Sequence, residues 1–204
     1  ALLDMAGHFR RKFNTIVVGV TGSVGKTTSK EMLALTVGSK YETMKTEGNH
    51  NNEIGLPFTL FRMTRRTAAA VIEMGMSDFG EMARLSKAAN PDICVITNIG
   101  YSHVEKLGSR SGILKAKLEI LSGAKPNAPL IVNADDDMLA YLKERYDRER
   151  EVITCGIKNT DADYRAADIS DTENGVEFNI LYRGDVIAHC VLPVIGDHHI
   201  IDAL

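Results

Sequence analysis

The sequence predicts an α/β fold: a mostly parallel sheet flanked by helices, with a small antiparallel unit near the C-terminus. Three observations carry this. Short apolar runs alternate with helical patterns as far as residue 155, the mark of parallel strands joined by crossover helices. One of these runs, TIVVGV, feeds directly into TGSVGKTT, an order of strand, glycine turn and helix. After Thr154 the pattern changes to strand-like runs separated by Glu173-Asn174-Gly175 and Arg183-Gly184, which are hairpin signals.

Residues 1–14 carry charges with no continuous apolar stretch and no cleavage-site pattern, so they read as a linker rather than a leader. The parallel core is expected over 15–155. Its strands fall at 15–20, 41–45, 69–73, 93–97, 130–132 and 151–154. Its helices fall at 27–37, 53–61, 79–89, 111–121 and 136–146. Phe79, Met82, Leu85 and Ala89 share one helix face at that spacing. Antiparallel strands at 164–169, 176–182 and 185–193 make up a segment over 156–195. Residues 196–204 read as the first turns of a helix that does not continue, and the whole chain as one domain of a longer protein.

At 204 residues the chain is long enough for one domain with a real core. Charged residues are 25% and net charge is −3, which argues against nucleic-acid binding through a basic face. No run approaches the ~18 apolar residues of a membrane span. Cys94, Cys155 and Cys190 are odd in number and lack CxxC spacing, as expected of reduced, mostly buried thiols in a cytoplasmic protein. A monomer is expected.

The loop after the first strand has the chemistry of a phosphate cradle. Gly22 and Gly25 let backbone N–H groups turn inward, flanked by Thr21, Ser23 and Thr28. The following helix offers its positive end. Lys26 can reach outer phosphates and the Thr27 hydroxyl can bind Mg²⁺. The pattern is GxxGKT; Val20 stands where the longer P-loop pattern has its first glycine. The fold class is therefore P-loop NTPase-like, and the loop alone does not name a reaction.

Other polar groups fall at predicted strand ends. Glu73 closes AAAVIE, where a carboxylate asks for a partner or a metal; the alternative is a solvated sheet rim. His103 ends ICVITNIGYSH, near Asn98 and Ser102, with a surface role as the alternative. GNHNNEIGLP gathers Asn49, His50, Asn51, Asn52 and Glu53, either a binding loop or a polar loop capped by Asn52. Ser77-Asp78 reads as a helix cap. In SGILKAKLEIL, helical spacing places Lys117 between Ile113 and Leu114 on one side and Ile120 and Leu121 on the other. Lys115 should be solvated. An ammonium group in such a stripe loses its proton easily, so Lys117 is either a base, an amine able to take up CO₂ as a carbamate, or a lysine with a buried stem and a solvated head.

TGSVGKTT, GNHNNEIGLP, VIEMGMS, VITNIGYSHVEKLGS, KAKLEI, NADDD and GDHHIIDAL follow one another in an order that resembles the Mur ligases. NNEIGLP, EMGMS and NIGYSH resemble the branch that joins D-alanyl-D-alanine to UDP-N-acetylmuramoyl-tripeptide. The resemblance implies a central ATPase domain, with the UDP-sugar domain before it and the domain helping to bind the amine substrate after it. It implies that ATP phosphorylates a carboxylate and that an amine attacks the acyl phosphate. By the same resemblance Lys26 meets the phosphates and Thr27, Glu73 and His103 bind Mg²⁺. Lys117 matches a lysine carbamylated in several members, which helps hold a second Mg²⁺. Asn49, Asn52, Asn133 and Asp135 match positions near the nucleotide or acyl phosphate, and His198 matches a glycine–histidine loop. Three positions depart from the pattern. The family often has Asn at Asp202 and at His199, and a small residue at Leu118, so Asp202 sets a carboxylate where an amide near adenine is implied. Another amino acid ligase of the superfamily and a nucleotide-driven switch are the competing readings.

Overall fold

The computed structural model describes residues 1–146, 149–194 and 196–204. Among them the strands are β1 (Ile16–Thr21), β2 (Thr43–Lys45), β3 (Ala69–Glu73), β4 (Ile93–Ile96), β5 (Leu130–Asn133), β6 (Val152–Gly156), β7 (Tyr164–Thr172), β8 (Gly175–Tyr182) and β9 (Asp185–Leu192). They form one sheet in the order β2-β3-β1-β4-β5-β6-β7-β8-β9. Pairings from β2 through β7 are parallel; β8 and β9 add antiparallel.

The central strands are apolar on both sides, as a sheet covered on both faces requires. Every residue of β3 is buried, and all of β1 but the first. Val17, Ala70 and Ile72 join a core with α1 (Leu2–Arg10), α3 (Gly55–Phe61), α4 (Glu81–Ala89) and α6 (Arg110–Leu118). Val18, Val20 and Val71 face the other way, against Leu33 and Ala34 of α2 (Lys26–Gly38). The remaining helices are α5 (Val104–Leu107), α7 (Leu142–Tyr146) and α8 (Asp197–Ala203). A separate small cluster of Ala166, Val176, Phe178 and Ile200 joins the antiparallel strands to α8.

Register decides where function can sit. Val20 lies opposite Glu73, and Thr21 opposite Ile96. The carboxyl ends of β1, β3 and β4 are therefore level. The chain leaves β1 toward β2 and β3 on one side and later places β4 on the other. That reversal opens a crevice at the carboxyl ends of the strands, the usual ligand position in such sheets.

Several expectations are corrected. Residues 1–14 are not a linker: residues 2–10 form α1, with Ala6 fully buried. Arg10 is buried too, its guanidinium donating to the carbonyls of Phe13, Thr15 and Ala89, and Phe9 meets Phe13 and Phe61 edge-on. The expected helix over 136–146 shrinks to α7. Asp136 accepts the N–H groups of Ile99 and Met138, which holds the preceding segment in turns. The helix expected over 111–121 is α6 followed by a 3₁₀ turn, Glu119–Ser122. The short α5 was not expected. The antiparallel strands are continuous with the parallel sheet, because Cys155 pairs with Tyr164 in parallel. Ile195, the end of the expected antiparallel segment, lies outside the described residues. Other element ends move by a few residues.

Candidate active site

The loop between β1 and α2 is built around two glycines with positive φ, +158° at Gly22 and +80° at Gly25. A Cβ on Gly22 would lie 1.9 Å from Thr97 Oγ1, and one on Gly25 2.5 Å from Asp202 Oδ1. Ser29 N–H makes the first helical bond of α2, to the Gly25 carbonyl. The N–H groups of Lys26, Thr27 and Thr28 are thus left at the positive end of the helix. The segment after β4 holds the loop from the side. Asn98 Oδ1 accepts the N–H of Ser23 at 3.0 Å and of Val24 at 2.9 Å, and Ser23 Oγ accepts the N–H of Gly100. Thr21 is fully buried at the end of β1, and its Oγ1 has no partner among the described residues. Lys26 Nζ donates to the carbonyls of Gly22 and Ser23 at 2.9 and 3.3 Å. Burial lowers its pKa and Glu73 partly restores it.

Glu73 is not on a solvated rim; it is 1% exposed. Its Oε2 accepts from Thr27 Oγ1 at 3.1 Å and its Oε1 from Asn51 Nδ2 at 2.9 Å. Lys30 Nζ, equally buried, stands 3.5 Å from Oε2. Sequence reading did not single out Asn51 or Lys30. Asn51 was hidden among four polar neighbours, and Lys30 looked like part of an ordinary solvated first turn. The cap is also reversed from expectation: Glu81 Oε2 accepts the N–H of Ser77.

Lys117 is 3% exposed on the face of α6 that carries buried Ile113 and Leu114. Among the described residues its ammonium has no hydrogen-bond partner. Burial, and secondarily the charge of Lys26, bring its pKa from 10.5 down to about 7. Lys115 is exposed, its Nζ 5.8 Å from the centre of the Phe79 ring.

A cavity of about 290 Å³ gathers Lys26, Asn51, Asn52, Ser102, His103 and Lys117 on its walls, together with Gly22 and Ser23. Thr27 and Glu73 adjoin it through Lys26 and Asn51. His103 is exposed, has φ +65° and opens α5. Asn52 also caps α3, its Oδ1 accepting the N–H groups of Ile54 and Gly55.

Other expected residues lie elsewhere. Asn49 is exposed, its carbonyl accepting the Asn51 N–H. Asn133 lines a second, apolar cavity of about 250 Å³ with Ser29, Asp202 and the end of α8. Asp135 has both carboxylate oxygens taken by the N–H groups of Ile157, Lys158 and Asn159. His198 is exposed and packs on His199 with ring centres 4.1 Å apart. Asp202 Oδ1 accepts from Ser29 Oγ at 3.0 Å, and burial raises its pKa.

The donors beside the loop fit Mg²⁺. A hydroxyl and a carboxylate, both hard oxygen donors, meet at 3.1 Å. Among the described residues there is no cluster of three or more acidic, His or Cys ligands. Mg²⁺ needs none, since it takes one or two carboxylates together with phosphates and water.

Residues 20–204 match the model of the Mur ligase middle domain. Over its whole length the chain is 42% identical to the UDP-N-acetylmuramoyl-tripeptide--D-alanyl-D-alanine ligase of Bacillus subtilis, spanning 43% of that protein. It superposes on MurF from Acinetobacter baumannii with a TM-score of 0.89 and 30% identity, over 98% of this chain and 44% of that one. Against the MurF ligase from Thermotoga maritima in complex with ADP the TM-score is 0.88 at 31% identity, over 98% and 46%. The chain thus spans less than half the length of these relatives.

Proposed function

Because this chain belongs to the Mur ligase family, as its middle domain, we propose that it is the ATP-binding part of an ADP-forming ligase of peptidoglycan precursor synthesis. In this reading the γ-phosphoryl group of ATP passes to the terminal carboxylate of UDP-N-acetylmuramoyl-tripeptide, giving an acyl phosphate and ADP. The amine of D-alanyl-D-alanine attacks the acyl carbon, phosphate leaves, and an amide bond forms. The relatives' names support the substrates, and the ADP complex of a similar structure supports the nucleotide. The flanking domains that hold the UDP-sugar and the dipeptide are taken to lie outside these residues. A cytoplasmic monomer, working where ATP and UDP-linked precursors are made, is part of the same proposal.

The observation that carries the reading is the cavity joining Lys26, His103 and Lys117 beside Glu73. The N-terminal end of α2 and Lys26 bind and orient the phosphates, which holds the reacting groups in line. Thr27 and Glu73, with His103 on the wall of the adjoining cavity, would hold Mg²⁺, which when bound would offset phosphate charge. A carboxylate is a poor electrophile, and phosphorylation supplies the leaving group that it lacks. Lys117, with its pKa near 7, offers a neutral amine. Its nitrogen can attack CO₂, forming an N–C bond and losing a proton to solvent, and the resulting carbamate would supply oxygens for a second Mg²⁺.

ADP release by the full-length protein, with and without each substrate, tests this. Turnover is expected only with both, together with the amide product by mass spectrometry. ADP release indifferent to both would overturn the reading in favour of a nucleotide switch. A requirement for a different amino acid would move the chain to another branch. The isolated 204 residues are expected to bind ATP weakly and to make no amide.

A further inference from the structure

Lys30 does not line the cavity, yet it is among the most buried side chains of the protein, 1% exposed. Burying an ammonium is costly unless it is paired. Its Nζ lies between two carboxylates: Glu73 Oε2 at 3.5 Å and Glu31 Oε1 at 3.2 Å. Glu31 is half exposed and also pairs with Lys45. Glu73 is buried, and Lys30 is its one ion-pair partner among the described residues. Thr27 and Lys30 are three apart on α2 and so share a face, and both address the same oxygen, Oε2. Asn51 holds the other.

We propose that Lys30 is the resident counter-ion of Glu73, a positioning residue that holds the carboxylate against Thr27 and weakens its grip on a divalent cation so that the metal exchanges. This rests on the reading of Glu73 as a metal ligand. Ammonium and metal compete for one carboxylate's charge. Removing the ammonium leaves a buried carboxylate with no ion-pair partner among the described residues and only the more distant charge of Lys26, so a bound metal would carry most of the balance.

The experiment compares full-length protein with Lys30→Met, Glu73→Gln and the double variant. In EDTA, Lys30→Met is expected to lower the unfolding midpoint by about 10 °C, and Mg²⁺ alone should restore more of that loss than it adds to the parent. Adding Glu73→Gln should recover most of the loss and abolish the Mg²⁺ response. Mn²⁺ binding without nucleotide, followed by electron paramagnetic resonance, should tighten at least ~tenfold in Lys30→Met. An equal loss from Lys30→Met in the Glu73→Gln background would make Lys30 a packing residue and overturn the proposal. Unchanged Mn²⁺ affinity would do the same. If Lys30→Met does not fold, its rescue by Glu73→Gln supports the pairing and failure of rescue overturns it. No Mn²⁺ binding by the parent would remove Glu73 from the metal site, and with it the exchange role, while the stability comparison still decides the pairing.

Discussion

Lys117→Met should make the protein more stable and inactive at once. Burial brings the Lys117 pKa from 10.5 to about 7. The unfolded chain therefore binds more protons than the folded chain between those values. Stability rises with pH wherever that holds, so the parent should gain stability from pH 7 to about 10.5 and carry the whole cost of the buried charge below pH 7. At about 1.36 kcal/mol per tenfold, the full effect is roughly 4–5 kcal/mol, and about 4 kcal/mol remains at pH 7, where half the folded molecules are already neutral. Water in the adjoining cavity makes this an upper figure. Methionine matches the stem and has no charge to bury. Denaturant unfolding in CO₂-free buffer with EDTA, from pH 6 to 10.5, reads the effect as the difference between parent and variant, so that other titrating groups cancel. Lys117→Met should be the more stable by about 2–4 kcal/mol at pH 7, with the gap closing toward pH 10.5. A variant no more stable than the parent, with a gap independent of pH, would mean that the ammonium head is solvated and the argument fails.

Gly25→Ala forces an L-residue to φ +80° and puts a Cβ 2.5 Å from the Asp202 carboxylate, which Ser29 holds in place. Strain of about 1–2 kcal/mol should lower affinity for a fluorescent ADP analogue about tenfold; unchanged affinity would count against the loop as the phosphate cradle. Asp135→Ala should cost about 2 kcal/mol in denaturant unfolding, because three backbone donors lose a charged acceptor, and should leave the KM for ATP within about twofold. A large rise in KM without loss of stability would return Asp135 to the nucleotide site.

The parallel core was legible because its strands are buried on both faces and read as unbroken apolar runs, and because a glycine turn separates β1 from α2. What was not legible depends on partners distant in sequence. Residues 1–14 looked like a linker because Arg10 and its charged neighbours broke up the apolar face. In the fold that guanidinium is satisfied by carbonyls at residues 13, 15 and 89, and only tertiary structure supplies the last. The segment after Asn133 kept a helical look, yet Asp136 caps turns and reaches Ile99. Local propensity had no access to that contact.

The two buried lysines show where the limit lies. Lys117 interrupts an apolar stripe, so helix periodicity singles it out as either a desolvated amine or a lysine with a buried stem and a solvated head, and the structure buries it to 3%. Lys30 interrupts nothing. It follows Thr27, Thr28 and Ser29 and precedes Glu31, a polar run that describes a solvated first turn equally well. Its burial comes from β3, which brings Glu73 beneath α2 through the pairing of Val20 with Glu73. A charge that violates its local pattern can be found from sequence, and one that obeys the pattern can be found only from the carboxylate that needs it. The Glu73 carboxylate was itself visible at the end of its strand. A buried carboxylate needs a cation close by, and α2, which also presents Thr27 to the same oxygen, supplies it in Lys30.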